Sequence, residues 1–155
     1  MKDKDLLLKY LCGRLLYGVK VKVSIEEVEY DAVVHGVYAD ETVLVEQSPD
    51  PNKVHRIDVA HVSEVKPYLF PLKTMTIEQR NEFYEMTQPH IIAYFEEGKL
   101  IGEEGEYRPI TPVMMYPNMI EIDWLFKRHF DVFGLIEKGL AIDATKLNIY
   151  KEETK

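Results

Sequence analysis

Between Tyr17 and Leu69 the apolar residues come in short runs with a period of two, separated by turn signals. That texture commits this stretch to short strands. Val19, Val21 and Val23 alternate with Lys20 and Lys22, as on a half-buried strand. Residues 32–38 are a second β-prone run, and Gly36 within it predicts a bulge or a sharp bend. Residues 42–47 are a third, reached through the tight connection Ala39-Asp40-Glu41. Ser48-Pro-Asp-Pro-Asn52 reads as a turn, because its prolines fix φ and Asp and Asn favour turn geometry. Residues 54–59 and 62–65 supply one or two more strands. The expectation is an SH3-like antiparallel β-barrel, or a strongly bent sheet, over residues 17–70.

Helical spacing flanks that half. Residues 4–12 predict a first helix with Leu7, Leu8 and Leu11 on its apolar stripe and Gly13 as its stop. After the sheet, Lys66-Pro-Tyr-Leu-Phe-Pro-Leu-Lys-Thr-Met75 forms a joint. Pro67 and Pro71 each remove a ladder donor, so the sheet is expected to end there. Thr76 and Gln79 make a capping box for a helix that ends near Thr87, ahead of Pro89, with Ile77 and Tyr84 on one face. Residues 91–95 fit either a short helix or a hairpin arm turning through Glu96-Glu97-Gly98-Lys99, and residues 98–117 read as loop with strand fragments. Asn118 and Glu121 repeat the capping logic for a helix to about His129, with Leu125, Phe126 and His129 on one face. Asp131 is expected to start a shorter helix carrying Phe133 and Ile136, closed by Gly139. The fold class is therefore α+β: one compact domain over residues 1–155, with a β-rich half at 17–70 and a mainly helical half at 71–155.

Composition removes several function classes. The net charge of −8 disfavours a nucleic-acid partner, since phosphate binding needs clustered Lys and Arg. A nucleic-acid-binding alternative would require Lys20, Lys22, Lys53 and Arg56 to converge on one face of the sheet. The first apolar run, Leu6 to Leu8, is too short for a signal peptide. No stretch approaches the roughly 20 apolar residues of a membrane span, so the expected location is the cytoplasm, with no membrane partner. A single cysteine, Cys12, allows no internal disulfide.

Site chemistry is sparse. Cys12 could act as a nucleophile in a small hydrolase, as could a histidine–acid pair, but at a helix C-terminus a structural, packed cysteine is the preferred reading. His35, His55, His61, His90 and His129 show no metal-ligand spacing, and His55 and His61 on one strand would stand about 20 Å apart. Gly102-Glu-Glu-Gly105 has carboxylates where a phosphate loop needs donors. The tail could pass for a helix-turn-helix, but its second helix would offer Asp131 and Glu137 against only Lys138. No catalytic, cofactor-binding or metal-binding residue is assigned. The remaining signal is aromatic. Tyr107, Tyr116, Met114 and Met115 sit in loop-like sequence, where an exposed patch would mark a partner surface.

Two stretches carry a resemblance. The joint at 66–76 precedes Asp123-Trp-Leu-Phe-Lys-Arg-His-Phe-Asp-Val-Phe-Gly-Leu-Ile-Glu-Lys-Gly-Leu-Ala-Ile142. Together they resemble a family of short uncharacterised proteins encoded by phages and prophage-like regions of gut anaerobes. That family has a K-P-Y-L-x-P-L-x-S-M-T joint before a D-W-L-x-x-x-H-F-D-x-x-G-L-I-x-K-G-L-A tail. Here Thr74 stands for the usual serine and Phe133 for the usual arginine. The resemblance implies an accessory gene of a mobile element, and carries no activity, cofactor or catalytic residue. The expectation is a non-enzymatic module that binds another protein.

Overall fold

The computed structural model describes residues 3–47, 56–87, 94–96, 99–101, 107–108 and 119–150. Helix α1 (Asp3–Arg14) buries Leu7 and Leu11 as their spacing predicts, together with Leu6, Tyr10 and Arg14. Gly13 does not stop it. A Cβ at Gly13 would lie 2.5 Å from the Phe126 ring, so this glycine permits close approach of two elements and leaves helix termination to others. A 3-10 turn at Leu15–Tyr17 follows, and Gly18 ends it in the left-handed region at φ 61°.

Strands β1 (Lys20–Ile25), β2 (Val28–Val37), β3 (Thr42–Gln47) and β4 (Ile57–His61) run as an antiparallel meander. The expected bulge lies between Val34 and Gly36. Alternation does the sorting: Val21, Val23, Ala32, Val34, Val43, Val45 and Ala60 all face one buried side. Each valine so buried contributes about 1.5 kcal/mol or more relative to exposure. After a 3-10 turn at Val62–Glu64, β5 (Val65–Leu69) returns to pair with the far side of β1. Pro67 does not end the sheet, but sits within β5 opposite Val21.

Helix α2 (Ile77–Thr87) carries the predicted capping box. The Gln79 N–H donates to Thr76 Oγ1 at 3.2 Å, and the Thr76 N–H to Gln79 Oε1 at 2.9 Å. Its core contact is Phe83, whereas Ile77 is 71% exposed. Strands β6 (Tyr94–Glu96), β7 (Lys99–Ile101) and β8 (Tyr107–Arg108) form a small antiparallel sheet, in which Glu96 pairs with Lys99 as the hairpin reading requires. Helix α3 (Met119–Lys127) buries Trp124, Leu125 and Phe126. Strand β9 (Ile142–Asp143) then joins β5 in parallel. At Pro67, β5 is thus not yet paired on its outer side, a position where proline is tolerated.

The main sheet has the order β4-β3-β2-β1-β5-β9. It is mixed and open. The expected SH3-like barrel does not form, because closure requires the end strands to meet and β4 and β9 remain separate ends.

The second tail helix does not form either. From Asp131 the chain runs as turns, with Gly134 at φ 67° and Gly139 at φ 70°. The buried Asp131 carboxylate accepts the N–H groups of Leu135 and Ile136, each at 2.9 Å, and so serves as a turn anchor. Burial raises its pKa, and those backbone bonds oppose the rise.

A polar knot binds α1 to this tail. Arg14 is 0% exposed, its guanidinium 3.9 Å from the Tyr10 ring centroid and 4.2 Å from that of Phe126. One terminal nitrogen donates to the Phe126 carbonyl at 3.1 Å and the other to the Phe130 carbonyl, which also accepts from the Tyr10 hydroxyl at 3.1 Å. Burial lowers the pKa of Arg14 and raises that of Tyr10. The tail is laced to the joint by two backbone bonds, Phe70 N–H to the His129 carbonyl at 2.9 Å and Asp131 N–H to the Phe70 carbonyl at 2.8 Å.

Candidate interaction surface

Strand β4 ends the main sheet, and no described strand pairs with its outer side. The Gln47 N–H donates to the Arg56 carbonyl at 3.2 Å and the Val62 N–H to the Glu41 carbonyl at 2.9 Å. In an antiparallel ladder bonded pairs alternate, so Arg56, Asp58, Ala60 and Val62 bond inward to β3. Ile57, Val59 and His61 therefore direct their N–H and C=O groups away from the sheet. The His61 N–H is already taken by Glu64 Oε2 at 2.7 Å. Ile57 and Val59 have no backbone partner there among the described residues.

The side chains on this edge are apolar and uncovered. Ile57 is 60% exposed and Val59 64%. Val59 pairs with Leu44 of β3, and Leu44 and Tyr38 both flank Gly36 on that face. Tyr38 is 53% exposed. An end strand with outward N–H and C=O groups at two residues and β-branched side chains is a template for another strand.

Both ends of β4 are held in place. On its inner side Asp58 accepts from Arg56 at 2.9 Å, from Tyr30 at 3.2 Å and from Gln47 at 3.1 Å. Burial, then the Asp58 charge, raises the Tyr30 pKa. At the other end His61 Nε2 lies 2.9 Å from Glu41 Oε2, and His61 Nδ1 lies 2.7 Å from Ser63 Oγ. The Ser63 N–H also reaches Nδ1, at 3.3 Å, which makes Nδ1 the acceptor and Nε2 the donor. The ammonium of Lys4, bonded to Glu41 at 2.8 Å, holds that carboxyl below its ordinary range.

Ser63, His61 and Glu41 thus have the connectivity of a nucleophile, base and acid. Their contacts also have a structural reading. His61 caps the turn at Val62–Glu64, and Glu64 closes a capping box upon it. His61 and Ser63 are both exposed, so nothing there excludes water from a reacting acyl group.

The other candidate residues are dispersed. Cys12 is exposed, not packed: it lies on the outer face of α1, next to buried Leu11 but turned to solvent. Lys22 pairs with Glu29 at 2.7 Å, Arg56 is engaged by Asp58, and β1 and β4 are separated by two strands, so Lys20 and Lys22 do not converge with Arg56. Lys53, His55 and His90 lie outside the described residues, as do Met114, Met115 and Tyr116, and of Tyr107 only its place in β8 is described. Among the described residues no group of His, Cys, Asp and Glu could hold a metal ion, and no helix is long and apolar enough to cross a membrane. The edge of β4 was missed in the sequence. Its signal was the run Ile57-Asp-Val-Ala-His61, in which the larger apolar residues fall on one parity and Ala60 on the other.

No protein family matches the chain, and neither a curated protein nor a solved structure matches it.

Proposed function

We propose that this protein is a non-enzymatic interaction module of a mobile genetic element, working in the cytoplasm, that binds an extended segment of another protein along the edge of β4. The observation that carries the reading is the pairing of free backbone groups at Ile57 and Val59 with exposed apolar side chains at the same residues. The added strand would take its affinity from main-chain hydrogen bonds, and its specificity from alternate apolar side chains laid beside Val59, Leu44 and Tyr38.

Capture from a host lysate, read by mass spectrometry, tests this with paired variants. Val59→Pro removes the outward N–H but no ladder bond, and Ile57→Lys places a charge on the edge. A partner present with the wild type, lost with both edge variants and retained by Tyr107→Ala/Tyr116→Ala supports the reading. A partner retained by the edge variants, or no enriched protein at all, overturns it.

A further inference from the structure

A cleft of about 600 Å³ opens on the other side of the molecule, between the start of β1, the joint after β5 and the end of α3. The two stretches singled out in the sequence meet here: Phe70, Thr74 and Thr76 from the joint, and Lys127, Arg128 and His129 from the tail. Its charge is opposite to that of the chain. Lys20, Lys127 and Arg128 line it and, among the described residues, no lining residue is a carboxylate, although the protein carries a net charge of −8.

The cations differ in how far they are already engaged. Arg128 lies over Trp124, 4.0 Å from its ring centroid, with one terminal nitrogen on Glu82 at 2.6 Å. The Lys20 ammonium donates to the Ile149 carbonyl at 2.6 Å, which uses one of its three hydrogens. Lys127, exposed, has no ion pair among the described residues. The neighbouring Asp123 accepts from the Tyr17 hydroxyl.

The wall between these groups is aromatic and uncharged. His129 is 9% exposed and stacks on Tyr150 with centroids 3.8 Å apart. Its Nδ1 is buried without a hydrogen-bond partner among the described residues. Burial, helped by the charges of Arg14 and Lys20, holds it neutral with a pKa of about 4. Phe70 and Tyr17 complete an apolar side.

We propose that this cleft binds a small organic phosphate of nucleotide size, its phosphate held by Lys20, Lys127 and Arg128 and its ring laid against the Phe70 and Tyr17 side. The volume falls within the roughly 300–1,000 Å³ usual for small-ligand sites. Several cations lining one cleft match a doubly charged phosphate better than a single carboxylate. This site is separate from the β4 edge and does not rest on it.

Calorimetric titration of the full chain with AMP, adenosine, inorganic phosphate and citrate tests the assignment. AMP should bind, with adenosine and inorganic phosphate each at least tenfold weaker and citrate weaker than AMP. Affinity should fall with added salt. Lys127→Glu, on an exposed residue that leaves the core untouched, should weaken AMP at least tenfold, and Val59→Pro should leave it unchanged. No binding of AMP, equal binding of adenosine, or a Lys127→Glu variant that binds AMP like the wild type would overturn the proposal. Inorganic phosphate or citrate binding as tightly as AMP would overturn it too.

Discussion

Two polar clusters stand at opposite ends of α1. At its C-terminal end Arg14, Tyr10 and Asp131 are sealed inside the protein. Near its N-terminal end Lys4, Glu41 and His61 share one carboxylate in the open. Similar residue types do different work in the two places. In the sealed knot each polar group sits where water cannot replace a lost partner, so the contacts fix which segment meets which. In the open cluster water competes for every bond and salt screens every charge. Charge-assisted hydrogen bonds hold both clusters, and burial alone separates a fastener from an ornament.

The largest test of that contrast is Arg14→Met. The substitution nearly keeps the volume but removes two charge-assisted bonds and the guanidinium between two rings. The Phe126 carbonyl keeps the His129 N–H at 3.0 Å and the Phe130 carbonyl keeps the Tyr10 hydroxyl, so neither is orphaned. Relief from burying a charge offsets part of the loss. We expect a net destabilisation of about 3 kcal/mol by urea unfolding, with bonds to charged groups worth about 1.5–3 kcal/mol each. A loss under about 1 kcal/mol would show that desolvation cancels the contacts, and the contrast between the clusters would collapse.

The same contrast explains what the sequence discloses. Strand identity was legible because alternation at Val19, Val21 and Val23 is a local pattern that burial merely confirms. The Thr76–Gln79 cap was legible for the same reason. What was not legible depends on distant partners. Gly13 reads as a stop until Phe126 is known to lie against it. Asp131 reads as a helix start, and the left-handed glycine at 134 turns the chain instead. The burial of Arg14 has no local signal, because nothing nearby in the chain says that Phe130, more than a hundred residues away, will offer it a carbonyl. The β4 edge was hidden likewise, since which strand ends a sheet is a property of topology and not of the strand.

His129 gives a middle-sized test. Its folded pKa of about 4 lies below its ordinary 6.5, so between those values the unfolded chain binds the proton and the folded chain does not. Stability is therefore fully present above pH 6.5 and is lost as pH falls toward 4. The slope is at most about 1.4 kcal/mol per pH unit, or roughly 2 kcal/mol between pH 6.5 and 5, before most carboxylates titrate. His129→Asn, which tolerates the observed φ of 58°, should flatten urea midpoints across that interval. An unchanged slope would assign the pH dependence to another group.

The smallest effect belongs to the open cluster. Glu41 sits at φ 67°, a left-handed backbone that a side chain disfavours and glycine adopts freely. Its carboxylate meanwhile receives Lys4 at 2.8 Å and His61 at 2.9 Å. Glu41→Gly therefore sets backbone relief against two exposed ion pairs. Glycine adds entropy to the unfolded chain, which trims the relief. Exposed pairs are weak and screened, so the backbone should still prevail, and the variant should match or slightly exceed the wild type in its urea midpoint at physiological salt. At low salt the pairs strengthen and the difference should shrink or reverse. A clear loss of stability that persists at high salt would mean that Lys4, Glu41 and His61 act together as a fastener. In that case burial is not what separates the two clusters.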